Sequence, residues 1–104
     1  MRREAFKMRL KPGCEEEYQR RHIAIWPELK KMLADNGVCD YSIYWDKETN
    51  ILFACQKING VTSSQEMGDN SIVQKWWDYM SDLLDVNPDN SPVSISLQEV
   101  FHMD

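Results

Sequence analysis

The sequence predicts an α+β fold in which a four-stranded antiparallel sheet carries its helices on one face. Four segments alternate apolar and polar residues with the period of a strand. Two further segments repeat apolar residues in steps of three and four, which is the spacing of one helix face. The segments follow the order strand, helix, strand, strand, helix, strand, and this order folds most simply as a βαββαβ sandwich.

The first strand is predicted near the start of the chain. Phe6, Met8 and Leu10 alternate with charged residues, so one face of this strand should be covered. Pro12 and Gly13 follow directly and end it, because this dipeptide favours a turn.

The first helix is predicted from Cys14 to the stop signal at Asn36 and Gly37. One face of it is formed by Tyr18, His22, Ile25, Leu29, Met32 and Leu33. Pro27 lies inside this segment and lacks a backbone donor. The helix therefore either kinks near Trp26 or restarts with Pro27 in a first turn.

The second and third strands are predicted over residues 38–45 and 51–58, which are rich in aromatic and branched side chains. The polar residues 46–50 between them indicate a hairpin. In the second strand the odd-numbered residues should face the helices. These are Cys39, Tyr41, Ile43 and Trp45.

A polar stretch over residues 62–66 precedes the second helix, which is predicted to begin at about Asn70. Its apolar positions are Val73, Trp76, Trp77, Met80, Leu83 and Leu84. Residues 85–92 contain two prolines and predict a loop. The final strand resumes the alternation at Val93, Ile95 and Leu97 and continues towards Phe101 and Met103.

This arrangement is the ferredoxin-like sandwich, and it leaves one face of the sheet without helices. Four residues are expected to be half exposed there, namely Tyr44, Leu52, Ala54 and Val100. Because a second subunit would cover such a face, we expect a homodimer formed through sheet packing.

Composition limits the remaining possibilities. A chain of 104 residues suits one domain over residues 1–104, and its net charge of −5 disfavours binding to nucleic acid. The sequence has no apolar run long enough to cross a membrane and no secretory signal at its start, so we expect a cytoplasmic protein. The three cysteines are expected to be buried or half-buried and to form no disulfide framework.

Trp76 and Trp77 are adjacent within the second helix. Consecutive helical residues point about 100° apart, so one indole should lie at the edge of the buried stripe and line a concavity. A ring with an apolar face and one donor suits a ligand that has both apolar and hydroxyl surfaces, such as a sugar. The alternative is that both rings belong to the core and its margin.

His22 lies four residues after Tyr18, so the two side chains share one helix face. An imidazole transfers protons near neutral pH, and a neighbouring phenol can hold a hydroxyl group. Tyr41 is a further candidate because its strand should run beneath the helices. Each of these residues could instead be ordinary packing. No nucleophile motif, glycine-rich phosphate loop or set of metal ligands is recognisable, since His22 and His102 lack a close third ligand.

Taken in order along the chain, several motifs resemble the L-rhamnose mutarotase family. They are Glu17-Tyr18-Gln19-Arg20-Arg21-His22, Ile25-Trp26-Pro27-Glu28-Leu29, Tyr41-Ser42-Ile43-Tyr44, Lys75-Trp76-Trp77 with Tyr79-Met80, and Asn87-Pro88-Asp89-Asn90-Ser91-Pro92-Val93 followed by Leu97-Gln98-Glu99-Val100-Phe101. The chain departs from the family pattern at Ile23-Ala24 and over residues 55–68.

The resemblance implies a dimeric α/β barrel that interconverts the α and β anomers of L-rhamnose without a cofactor or metal. It implies that His22 is the catalytic acid. It also implies that Tyr18, Tyr41, Trp76 and Trp77 contact the sugar. We expect protonated His22 to act on the ring oxygen while Tyr18, Tyr41 or a water relays or accepts the second proton.

Two alternatives remain at this point. Small monooxygenases share the dimeric barrel and bury apolar aromatic substrates, and a sugar-binding module would use the same aromatic pocket without turnover. The exact sugar also stays open, because related sugars differ only in the orientation of their hydroxyl groups.

Overall fold

A computed structural model describes residues 2–60 and 63–104, and Thr62, the first residue of the predicted polar stretch, lies outside them. The elements are β1 (Arg2–Arg9), α1 (Glu15–Ile23), α2 (Pro27–Asp35), β2 (Val38–Asp46), β3 (Ile51–Ile58), a 3₁₀ turn (Ser64–Glu66), α3 (Ser71–Met80) and β4 (Ser94–Leu97). The predicted α+β class and the antiparallel four-stranded sheet are confirmed. Among the described residues, no helix has the length and apolar character that a membrane crossing requires.

The strands are ordered β2-β3-β1-β4, and every neighbouring pair is antiparallel. The two strands at the centre are therefore the first and third along the chain, as in a ferredoxin-like sandwich. Phe6 of β1 lies opposite Ala54 of β3, and Met8 lies opposite Leu52. These four side chains are buried beneath the helices and form the floor of the core.

Pro27 divides the first predicted helix into α1 and α2. Of the two alternatives, the structure shows the restart and not the kink. Trp26 has extended backbone angles, φ −61° and ψ 127°, and Pro27 occupies the first position of α2. A residue before proline avoids the helical conformation, and the missing N–H of proline falls where a helix has no internal partner for it. The restart therefore breaks no hydrogen bond and turns α2 away from α1.

The odd-numbered face predicted for β2 is right for Tyr41, Ile43 and Trp45 but wrong for Cys39. The pairing of β2 with β3 shifts between Cys39 and Ser42, and Asp40 has a φ of 49°. This β-bulge adds one residue, so the alternation of faces reverses across it. Val38 consequently packs into the core before the bulge, while Cys39 is exposed.

The residues of β3 that were predicted for the open face of the sheet were also wrong. Leu52 and Ala54, expected to be half exposed, are only 2% exposed and face the helices. They lie opposite buried residues of β1, and directly paired residues of antiparallel strands share a face. Phe53 and Cys55 occupy the open face instead, so two cysteines are exposed where burial was expected, and Cys14 is half-buried.

Two rows of side chains cross the open face. They are Tyr44, Phe53, Lys7 and Ile95 in one row and Ser42, Cys55, Ala5 and Leu97 in the next. Tyr44 is 66% exposed, in agreement with the prediction. The last strand is shorter than predicted, because residues 98–104 have no regular structure, and Val100, Phe101 and Met103 are exposed there.

Candidate functional site

A cavity of about 1150 Å³ lies between the sheet and the helices. Its lining includes all five residues that the sequence proposed for a site, namely Tyr18, His22, Tyr41, Trp76 and Trp77. These residues come from α1, β2 and α3, which are far apart along the chain. A largely apolar cavity with a few polar groups is typical of a small-molecule site.

His22 lies between two aromatic rings. Its imidazole stacks on Tyr18, with 4.3 Å between ring centroids and 29° between ring planes. On another side, the ring of Trp76 meets it edge to face at 5.4 Å and 87°. The helical spacing of four residues produces the first contact, and the packing of α1 against α3 produces the second. The imidazole is thus held on two sides by rings of fixed geometry.

A hydrogen bond within α1 fixes which nitrogen of His22 carries the proton. Nδ1 lies 3.0 Å from the backbone oxygen of Tyr18. Because a carbonyl oxygen can only accept, Nδ1 must donate, and a neutral imidazole then has its lone pair on Nε2. Nε2 is the nitrogen left to exchange a proton with a ligand.

Burial lowers the pKa of His22 below its ordinary value of 6.5, and the hydrogen bond to the Tyr18 carbonyl opposes this effect. Desolvation disfavours the charged imidazolium more strongly than this one acceptor stabilises it. At neutral pH the side chain is therefore mainly neutral. A neutral imidazole is ready to accept a proton at Nε2, whereas the sequence suggested a protonated acid as the starting form.

Burial has the opposite effect on the two tyrosines of the cavity, because it raises their pKa values. Burial raises the pKa of Tyr18 far above its usual range, and the nearby Tyr41 adds to the effect. Burial and the charge of Glu4 raise the pKa of Tyr41 to about 12, although the Ser64 hydroxyl opposes them. Both phenols therefore stay protonated near neutral pH and can donate hydrogen bonds. They are poorly suited to accept the second proton, which the sequence left as one possibility.

Both tryptophans of α3 are buried, with exposures of 8% for Trp76 and 6% for Trp77. The expectation that one of them would lie at the margin of the buried stripe was wrong. The segment before α3 covers the second indole, because a Cβ built on Gly68 would lie only 3.0 Å from Cζ3 of Trp77. The position of a residue around a helix predicts only its contact with the main core. It does not predict that the segment before α3 packs on Trp77. Both rings still line the cavity.

Trp26 and Tyr79 extend the aromatic cluster, although the sequence did not propose them as site residues. Trp26 packs edge to face on Trp76 at 5.1 Å and stacks with Tyr79 at 5.6 Å. Tyr79 follows Trp76 by three residues within α3, so helical spacing was a usable signal for Tyr79. Trp26 lies in the extended link between α1 and α2, so helical spacing does not predict its contacts. Ser64, which also lines the cavity, lies in a polar loop whose sequence carries no comparable signal.

Arg21 joins α1 to the end of α3. Its guanidinium donates to the backbone oxygen of Tyr79 at 2.6 Å and to Asp82 at 2.9 Å, and it also pairs with Glu17 at 2.7 Å. The same group lies 4.4 Å from the centroid of the Tyr79 ring. The Arg21 side chain is only 11% exposed. These contacts set the distance between the helices that carry His22 and Trp76.

Within residues 2–60 and 63–104, no group of three or more His, Cys, Asp or Glu side chains is placed to hold a metal ion.

Comparison with known proteins gives a consistent result. A family model described as L-rhamnose mutarotase matches residues 3–103. Over all 104 residues of both chains, the sequence is 76% identical to an L-rhamnose mutarotase of Phocaeicola vulgatus and 72% identical to one of Bacteroides thetaiotaomicron. A crystal structure of an L-rhamnose mutarotase from Formosa agariphila superposes with a TM-score of 0.93 at 55% identity, covering the whole of both chains.

The Arg21 contacts predict a difference between two neighbouring arginines. Arg21→Met should lower the free energy of unfolding by about 1–2 kcal/mol, because it removes charged hydrogen bonds of a poorly exposed side chain. Arg20→Met should leave the free energy of unfolding almost unchanged, because Arg20 is exposed and its ion pair is with Glu17 of the same helix. Urea unfolding followed by tryptophan fluorescence measures both values. Equal losses would contradict the role of Arg21 as the junction between the helices.

Proposed function

The chain belongs to the L-rhamnose mutarotase family, and from this we propose that its cavity binds L-rhamnose and that His22 moves the proton that opens and recloses the sugar ring. The protein is a sugar mutarotase, an isomerase that interconverts anomers. Membership in this family gives no support to the monooxygenase and the non-catalytic binding module that the sequence left open.

One observation carries the residue assignment. His22 lines the cavity with its Nδ1 bonded to the Tyr18 carbonyl, so Nε2 is free to act on a ligand. Mutarotation needs only one proton removed from the anomeric hydroxyl and one delivered to the ring oxygen. A single imidazole suffices, because these two oxygens are bonded to the same carbon.

The proposed reaction begins with neutral His22. Nε2 takes the proton from the anomeric hydroxyl, the electrons of that O–H bond form the aldehyde C=O, and the bond from the anomeric carbon to the ring oxygen breaks. The imidazolium then gives its proton to the former ring oxygen, which is the acid step implied by the family resemblance. The aldehyde rotates about the adjacent carbon–carbon bond, and the reverse steps close the ring on its other face. These steps balance in atoms and electrons and return His22 to its neutral form.

The other cavity residues are proposed to hold the sugar. Trp76 and Trp77 supply flat apolar surfaces for the carbon-bound hydrogens and the methyl group of a 6-deoxy sugar. Tyr18 and Tyr41 supply protonated phenols, which donate to sugar oxygens. Three of these side chains are buried and Tyr41 is half-buried, so together they also keep bulk water from the opened aldehyde.

We further propose that two copies of the chain pair through the open face of the sheet. Tyr44, Phe53, Ile95 and Leu97 are exposed there, between 38% and 66%, and together they form an apolar surface that crosses the sheet. An apolar face of this kind is best explained by a partner. The family model spans nearly the whole chain, which supports one mutarotase domain over residues 1–104. All three cysteines are present as thiols, which supports a reducing, cytoplasmic location.

The function is tested by NMR magnetisation exchange between the two anomers of L-rhamnose. The protein should accelerate the exchange, and His22→Ala should reduce the acceleration by about 10²- to 10⁴-fold because the proton-transfer group is gone. His102→Ala is the matched control, since His102 is exposed in the tail and pairs with Asp104. Full activity in a folded His22→Ala variant would refute the assignment. Binding of the sugar without any acceleration by the unaltered protein would favour the binding module.

The pH dependence tests the starting form of His22. Because protonated Nε2 cannot accept the anomeric proton, the catalysed exchange rate should fall as the pH is lowered through the pKa of His22, which lies below 6.5. Exchange is measured between pH 5 and 8 and corrected for the exchange of the sugar alone. A corrected rate that rises on acidification would mean that the imidazolium begins the reaction.

The dimer is tested by placing a charge on the open face. Phe53→Arg should convert a species of twice the 12.3 kDa chain mass into a single chain, as measured by size-exclusion chromatography with light scattering. Ile23→Arg is the control, because Ile23 is 79% exposed at the end of α1 and lies off the sheet. A dimer that survives the change at Phe53 would show that the chains pair elsewhere.

A further inference from the structure

Residues 87–92, one of the motifs that resemble the L-rhamnose mutarotase family, form a loop between α3 and β4. The backbone N–H of Asn87 donates to the backbone oxygen of Ser91 at 2.8 Å. The side chain of Asp89 accepts from both the N–H and the hydroxyl of Ser91. These hydrogen bonds join the two limbs of the 87–92 loop, so the loop should keep its shape and move as one unit.

Helix α3 holds the tip of this loop, which is Asp89 and Asn90. Gln74 donates from Nε2 to the backbone oxygen of Asp89 at 2.8 Å. Asn90 donates from Nδ2 to Oδ1 of Asp78 at 3.1 Å. Gln74 and Asp78 are four residues apart on one face of the helix, and a hydrogen bond of 3.0 Å joins their side chains. This face of α3 therefore fixes the loop, while the buried face carries the two indoles of the site.

Asn90 suits its position for a second reason. Its φ is 67°, in the left-handed region that asparagine adopts more readily than most residues. The same residue thus supplies both the turn of the chain and the donor that reaches α3. Aspartate and glycine also adopt this region, so the side-chain hydrogen bond can be tested apart from the backbone conformation.

The loop bears on the site through Pro92, which lines the cavity. Pro92 is half-buried and lies opposite Val86 in an isolated antiparallel bridge at the base of the loop. A proline has no backbone N–H, so Pro92 cannot fix its own position by donating a hydrogen bond. Its place in the cavity wall therefore depends on the hydrogen bonds of its neighbours.

We propose that Asn90 and Asp78 are positioning residues: through the 87–92 loop they hold Pro92 in the wall of the cavity, where it shapes the space for the sugar. The inference rests on the proposed function, because it assigns these residues to the site of that substrate. Neither Asn90 nor Asp78 is among the residues that line the cavity. Loss of their hydrogen bond should therefore weaken sugar binding and leave proton transfer by His22 unchanged.

Asn90→Asp tests the hydrogen bond. It keeps the left-handed backbone accessible but sets a second carboxylate beside Asp78, and the two like charges repel. The KM for L-rhamnose in the anomer-exchange reaction should rise about three- to tenfold, with little change in kcat. Asn59→Asp is the matched control, because it makes the same change of charge at an exposed residue that follows β3 and lies outside the loop. Its KM should stay that of the unaltered protein.

Exchanging the two side chains should restore the contact. When Asp78→Asn is combined with Asn90→Asp, the amide now on α3 can donate to the carboxylate now on the loop, and its oxygen can still accept from Gln74. The KM should return close to that of the unaltered protein. A KM that stays high in this double variant would contradict the role of the hydrogen bond.

Pro92→Ala tests whether Asn90 acts through the cavity wall. This change should raise the KM by a factor similar to that of Asn90→Asp, and Asn90→Asp should add little when Pro92→Ala is already present. If Asn90→Asp does not fold, Asn90→Gly takes its place, because glycine accepts the backbone conformation and removes the donor. An unchanged KM in Pro92→Ala, or two effects that multiply, would overturn the proposal, since a purely structural role of the loop predicts no such coupling.

The two proposals fail in distinguishable ways. If the unaltered protein does not accelerate anomer exchange, the proposed function is refuted, and this inference with it. If exchange is rapid and Asn90→Asp behaves like Asn59→Asp, the function stands and the role of the 87–92 loop is refuted.

Discussion

The packing of α1 against α3 is the constraint on which the site depends. His22 is on one helix and Trp76 on the other, so their ring contact exists only while the helices keep their separation. Tyr18 is the only fully buried side chain of α1. Hydrophobic burial therefore contributes little to holding this helix against the core. The Arg21 contacts with the end of α3 supply the missing attachment, and the Trp26 ring adds a second one through Trp76 and Tyr79.

Desolvation acts in opposite directions on the bases and acids of the cavity. It lowers the pKa of His22, which leaves a neutral imidazole, and it raises the pKa values of Tyr18 and Tyr41, which leaves neutral phenols. One physical cause therefore prepares a proton acceptor and two hydrogen-bond donors at the same pH. Because none of the three is charged at rest, the cavity can stay largely apolar and still offer a group that is able to accept a proton.

The sheet provides two different surfaces from one set of strands. Its helix-covered face forms the floor of the cavity, and its open face leaves apolar side chains exposed. The bulge near Asp40 is important for the first surface. Val38 and Tyr41 both face the helices, although they are three residues apart, and regular alternation would place them on opposite faces. The extra residue directs Tyr41 into the cavity.

The sequence by itself determined the order of the elements, the class of the fold and the five residues around which a site was expected. Hydrophobic periodicity and helical spacing are local properties, so a separation of four residues is enough to place Tyr18 and His22 on one helix face. Tertiary structure alone decided the side on which Leu52 and Ala54 lie, the burial of both tryptophans and the contacts of Arg21. Each of these depends on what packs from another part of the chain: the register with β1, the cover over Trp77 and the end of α3. Pairing register, desolvation and contacts between distant segments are properties of the assembled chain, and local spacing does not contain them.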